Sequence, residues 1–197
     1  MRPSAVLRYG QSFWLDYMRR RLLTSGQLER LREEGIRGVT SNPSIFEKAF
    51  SGSGDYDDAL RALEEQEDRS AAALYETLAV QDIQGAADVL RPVYDESEGV
   101  DGYVSLEVSP HLAHDTRRTV AEARRLWKRL HRPNVMIKVP ATDEGIPAIR
   151  ELLAGGVNVN VTLMFADGWR TLGSAAWRPT ARRAATSVGS RAWPASS

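Results

Sequence analysis

No cysteine occurs among the 197 residues, which excludes disulfides, thiol catalysis and cysteine-ligated metal. Net charge is missing too. The 26 basic side chains balance 26 acidic ones, so bulk electrostatics draw the chain toward neither nucleic acid nor a membrane surface. No long apolar run occurs, and the opening Met1-Arg2-Pro3-Ser4-Ala5-Val6 has no apolar core of signal-peptide length. The reading is a soluble, cytoplasmic protein with neither nucleic acid nor membrane as partner. Histidine is scarce, at three. His111 and His114 are spaced like a ligand pair but have no third ligand motif nearby, so they read as loop or cap residues and no metal is expected. His131 reads as a helix end, where positive charge is favoured.

Lysine is as rare as histidine. Lys48, Lys128 and Lys138 are the only three, and every other basic residue is arginine. Lys138 lies in Asn134-Val135-Met136-Ile137-Lys138-Val139-Pro140, where aliphatic residues alternate with others and Pro140 ends the run. That is strand periodicity, with the lysine near the C-terminal end. A desolvated amine, unlike a guanidinium, can lose its proton and attack a carbonyl to form a Schiff base.

Strand patterns are expected over residues 12–17, 36–42, 102–108, 134–140 and 157–163. Helices are expected from a capping residue at 24–25 to Gly35, from Pro43 onward, and over 55–66, 71–79, 83–94, 116–131 and 146–153, with a loop over 51–54. Such rotation of strand and helix gives parallel βαβ units. Three strands are aliphatic on one parity: Val104, Leu106, Val108; Val135, Ile137, Val139; and Val157, Val159, Val161, Leu163. The other parity holds Ser105 and Glu107, Met136 and Lys138, and Asn158, Asn160 and Thr162. Strands of a doubly wound sheet are covered on both faces and should be apolar on both. A polar inner face suits a (β/α)8 TIM barrel, whose reactive residues sit at the C-terminal strand ends. Asp16, Asn42, Glu107, Lys138 and Asn160 with Thr162 all fall at such ends.

Gly38-Val39-Thr40-Ser41-Asn42-Pro43-Ser44-Ile45-Phe46 resembles the first signature of the transaldolase family, and residues 134–148 around Lys138 resemble the second. Trp14-Leu15-Asp16, Ser105-Leu106-Glu107-Val108 and Asn158-Val159-Asn160-Val161-Thr162-Leu163 resemble its other barrel-end motifs, in order. The resemblance implies transfer of a dihydroxyacetone unit between sugar phosphates in the pentose phosphate pathway, without metal or organic cofactor. It implies Lys138 as the Schiff-base residue and Asp16 as the proton-transfer carboxylate. Glu107 and Thr162 would hold a proton-shuttling water, and Asn42, Asn160, Thr40 and Ser41 would bind substrate. For a full-length relative it implies a homodimer. The runner-up is a fructose-6-phosphate-type class I aldolase, which cleaves without transfer.

The resemblance stops after Phe165. Residues 166–197 are rich in Ala, Arg, Ser and Pro, without helical or strand period, and resemble an out-of-frame reading of coding sequence. A full barrel takes about 250 residues, and five of eight strand patterns precede this point. The expectation is therefore a partial barrel domain over 1–165, truncated or frame-shifted thereafter, with an irregular, disordered tail over 166–197. Such a chain is expected to be inactive by itself, a defective product being the non-enzyme alternative. The family's phosphate-holding arginines have no counterpart among these residues.

Overall fold

The computed structural model describes residues 3–64 and 70–164. The expected tail lies outside the described residues, as does the end of the helix expected over 55–66. Five strands form one sheet in the order β1-β2-β3-β4-β5: β1 Phe13–Asp16, β2 Ile36–Thr40, β3 Val104–Glu107, β4 Val135–Pro140 and β5 Val159–Thr162. The pairs β1–β2, β2–β3 and β4–β5 are parallel. A doubly wound sheet reverses its strand order at a switch point. Here chain order and sheet order coincide, as in a (β/α) barrel. The chain is α/β, with five strands of a partial barrel. Contacts divide it into two compact units, Met1–Glu107 with Arg129–Val135, and Val108–Lys128 with Met136 onward.

In the first unit, β1 leads to β2 through α1 Arg20–Thr24 and α2 Gln27–Glu34. The cap expected at 24–25 is not the start of α2. Ser25 closes α1, its hydroxyl donating to the Arg21 carbonyl at 2.6 Å, and Gly26 opens α2 at φ 66 without a side-chain cap. The chain reverses between two short helices, and glycine takes the left-handed conformation this needs. Gly35, at φ 113, ends α2 as expected.

After β2, Asn42 caps α3 Pro43–Ser51, and Pro43 sits in the first turn, where its missing N–H costs nothing. A 3-10 turn and α4 Asp57–Glu64 follow. The two helices expected over 71–79 and 83–94 are one, α5 Ala71–Glu96, capped by Ser70. The supposed break holds Val80 and Asp82, 5% and 1% exposed. Asp82 faces the interior because it has partners there, so a polar residue that resembled a loop is a core position. Leu28, Leu78, Ile83, Leu90, Val39 and Val104 are buried in the same unit. Asn134, fully buried, donates from Nδ2 to the carbonyls of Ala87 and Gly102 at 2.8 and 2.9 Å.

The second unit rests on aliphatic packing. Val120, Ala123 and Leu126 form the buried stripe of α6 Thr116–Leu130. In α7 Gly145–Ala154 the buried stripe is Ile146, Ala148, Ile149 and Leu152. Gly145 is required where α7 begins, because a Cβ there would run into the carbonyl of Pro140. Its N–H donates to Thr142 Oγ1 at 2.9 Å. No helix among the described residues is long and apolar enough to cross a membrane.

Candidate active site

In the first unit, register sets the site. Asp16, the last residue of β1, pairs with Thr40, the last of β2, and Thr40 pairs in turn with Ser105 of β3. Register partners on parallel strands project to the same face, so these three side chains share one level. Glu107, two residues beyond Ser105, is one pleat nearer the strand end. Asp16 is exposed and Glu107 half-buried. Below Asp16 on the same face, Trp14 pairs with Gly38. A Cβ on Gly38 would fall inside the indole ring, so glycine lets the ring lie flat against β2.

Ser41 and Asn42 follow β2. Ser41 is fully buried, and its hydroxyl donates to the Ser105 carbonyl at 2.9 Å, tying the β2–α3 link to β3. Asn42 Oδ1 accepts the Ile45 N–H at 2.9 Å. With the carbonyl oxygen occupied at the helix start, the amide N–H groups are the donors left for other contacts.

The segment after Asp16 is anchored by charge. Arg19 pairs with Asp55. Arg20 Nε donates to Asp82 Oδ1 at 2.9 Å, the Tyr56 hydroxyl donates to Asp82 Oδ2 at 2.7 Å, and the Arg20 N–H donates to the Tyr56 oxygen at 2.9 Å. Burial pushes the Asp82 carboxyl above its ordinary range, opposed by Arg20 and Tyr56. Burial and the neighbouring Asp82 push the Tyr56 phenol well up as well. Arg19 holds the Asp55 carboxyl low. This network was missed in the sequence. Its one clue there is Asp82, set between Ala79-Val80 and Ile83.

In the second unit, Lys138 pairs with Asn160 and Pro140 with Thr162. Lys138, Asn160 and Thr162 therefore project from one face of β4–β5. Lys138 is 8% exposed, and all six residues of β4 are buried. The Lys138 carbonyl accepts the Val108 N–H at 3.2 Å, and the Thr162 carbonyl accepts that of Ala141 at 2.8 Å. Among the described residues, the buried Thr162 Oγ1 has no hydrogen-bond partner. His114 lies 3.2 Å from Glu144, exposed, and His111 sits in the 3-10 turn Pro110–Leu112. Among the described residues, no group of three or more His, Asp or Glu could hold a metal ion.

One unit thus sets a buried amine level with an amide, and the other sets a carboxylate level with a hydroxyl. The model of the transaldolase/fructose-6-phosphate aldolase family matches residues 13–168, and the chain belongs to that family. Transaldolase 2 of Nostoc punctiforme is 47% identical over 161 residues, covering 81% of this chain and 42% of the relative. The transaldolase of Thiobacillus denitrificans is 51% identical over 161 residues, 81% of this chain and 45% of the relative. That of Thermobifida fusca is 53% identical over 157 residues, 79% and 42%. The chain thus spans less than half the length of these curated relatives.

Proposed function

We propose that this sequence encodes transaldolase chemistry through a Schiff base on Lys138, in the cytoplasmic pentose phosphate pathway. The dihydroxyacetone unit would pass from sedoheptulose 7-phosphate to glyceraldehyde 3-phosphate, giving erythrose 4-phosphate and fructose 6-phosphate. The carrying observation is the register of Lys138 with Asn160, with Thr162 one pleat further on.

In the proposed cycle, Lys138 Nζ adds to the ketose carbonyl carbon, and the carbinolamine loses water to leave an iminium. Asp16 takes the proton of the hydroxyl beside the scissile bond. The electron pair of that bond moves into the iminium and the aldose leaves. Addition to the acceptor aldehyde runs these steps backward, and hydrolysis restores the amine. Glu107 and Thr162 hold the water that carries protons while the Schiff base forms and breaks. The Thr162 hydroxyl, buried and without a partner among the described residues, supports that role, since buried polar groups take a partner. Asn42 donates to substrate hydroxyls from its free N–H groups, Asn160 binds a further hydroxyl, and Thr40 and Ser41 shape the floor. Two carboxylates in different surroundings can divide acid and base work between them.

The relatives' names favour transfer over simple cleavage. The test is a chimera carrying residues 1–164 followed by the remaining length of the Thermobifida fusca relative. It is assayed with fructose 6-phosphate with and without erythrose 4-phosphate. Turnover that depends on the acceptor supports transfer, and equal release without it shows an aldolase. The 197 residues alone are proposed to lack turnover, and activity comparable to a full-length relative would refute that.

A further inference from the structure

β1 gives Asp16 little support by itself. The strand has four residues and stands at one end of the sheet, with β2 its one neighbour among the described residues. Its pairing shifts register between Phe13 and Trp14. The chain just after Asp16 is held more firmly. Met18 is fully buried, and Arg20 opens α1 two residues later. A helix start leaves its first N–H groups unsatisfied, and a side chain at the capping position ordinarily accepts from one of them. Arg19, at that position, makes no such bond. The Arg20 N–H donates instead to the Tyr56 oxygen, which reaches it from the 3-10 turn after α3.

Tyr56 closes a ring of bonds. Its oxygen accepts from the Arg20 backbone, its O–H donates to Asp82 Oδ2, and the Arg20 guanidinium comes back to Asp82 Oδ1. The ring begins and ends on Arg20, so it fixes both the backbone and the side chain of that residue. Polar networks in which every member is satisfied are stiff. Tyr56 is fully buried, so it cannot touch a substrate. Its aromatic ring is held independently of the hydroxyl. Phe50 meets it at a steep angle with centroids 4.2 Å apart, and the Arg20 guanidinium lies over it, 5.2 Å from the centroid.

We propose that Tyr56 is a positioning residue for Asp16: its hydroxyl fixes where α1 begins and, through the link Tyr17-Met18-Arg19, sets the Asp16 carboxylate against the substrate hydroxyl. The inference rests on the proton-transfer role given to Asp16 in the proposed function. A general base must stand within hydrogen-bond reach of the proton it takes, and a misplacement of about 1 Å can cost about 10²-fold in rate.

The test is a double-mutant cycle in the chimera. Carbon–carbon cleavage of fructose 6-phosphate is read by single-turnover kinetics, and Schiff-base formation by borohydride trapping. Tyr56→Phe keeps the ring and removes the hydroxyl. It should slow cleavage by about 10–100-fold and leave Schiff-base formation and KM nearly unchanged. In the Asp16→Ala background the same substitution should change cleavage by less than about twofold, because a residue that acts through Asp16 has nothing left to place. Asp82→Asn, which keeps an acceptor oxygen, should give a smaller loss with the same dependence on Asp16. Unchanged cleavage in Tyr56→Phe, an equal loss in both backgrounds, or Schiff-base formation lost together with cleavage would overturn the proposal. Cleavage by Asp16→Ala at the parent's rate would instead remove Asp16 from the chemistry, and this role of Tyr56 with it.

Discussion

β4 and β1 carry the two residues on which the proposed chemistry depends, and they are held in different ways. All six side chains of β4 are buried, with Val135, Ile137 and Val139 on one parity and Lys138 on the other. β1 has four residues, exposed at both ends and half-buried between. Lys138 is placed by an aliphatic strand. The segment that follows Asp16 is held by polar partners distant in sequence, Arg20 on Asp82 and Tyr56 and Arg19 on Asp55, while Trp14 of β1 lies against Gly38. Hydrophobic placement is written locally as periodicity, whereas polar placement is written in residues dozens of positions away.

The largest expected effect is on chemistry. In the chimera, Asp16→Ala should retain the Schiff base but lose about 10²–10⁴-fold in carbon–carbon cleavage, the usual weight of one acid–base group. Glu107→Ala should slow Schiff-base formation instead. Single-turnover kinetics separate the two, and turnover within a few-fold of the parent in both would break the assignment.

Next is the anchor of the β1 segment. Asp82→Ala leaves Arg20 partly buried without its carboxylate and should destabilise the chain by about 3–5 kcal/mol in a denaturant titration. Ile137→Ala, on the aliphatic side of the comparison, should cost about 2–5 kcal/mol by transfer and cavity terms. The contrast sharpens on rescue. Asp82→Asn should recover part of its loss by keeping hydrogen bonds to Arg20 and Tyr56, whereas Ile137→Val should recover most of its loss through volume alone.

Gly38→Ala should cost about 1–3 kcal/mol, as overpacking against Trp14, and the pairing predicts that Trp14→Leu in the same chain relieves it. The smallest effect is pH dependence. Burial raises the Asp101 carboxyl above its ordinary range, so the folded state holds a proton that the unfolded state releases first. Stability should therefore fall as pH rises from the ordinary carboxylate range through the raised value. Asp101→Asn should flatten that slope, which denaturant midpoints across this range would measure.

The barrel order was legible because three strands show one aliphatic parity, and the sheet follows the chain order this implies. Lys138 and Asn160 were legible for the same reason. The continuity of α5 was not, because Gln81-Asp82 resembles a break until Arg20 and Tyr56 are seen to neutralise Asp82. The capping role given to residues 24–25 failed because Ser25 ends one helix as readily as it starts another. Gly38 stands in the first signature motif, but only the indole beside it explains why it is glycine.

The proposed chemistry stands on Lys138 as the nucleophile. The chimera is incubated with fructose 6-phosphate, reduced with borohydride and digested, and the modified peptide is located by mass. A single stable three-carbon adduct is expected on Lys138 and none in Lys138→Arg. An adduct on Lys48, Lys128 or a lysine of the appended segment, or no adduct in a folded, substrate-binding protein, would contradict it.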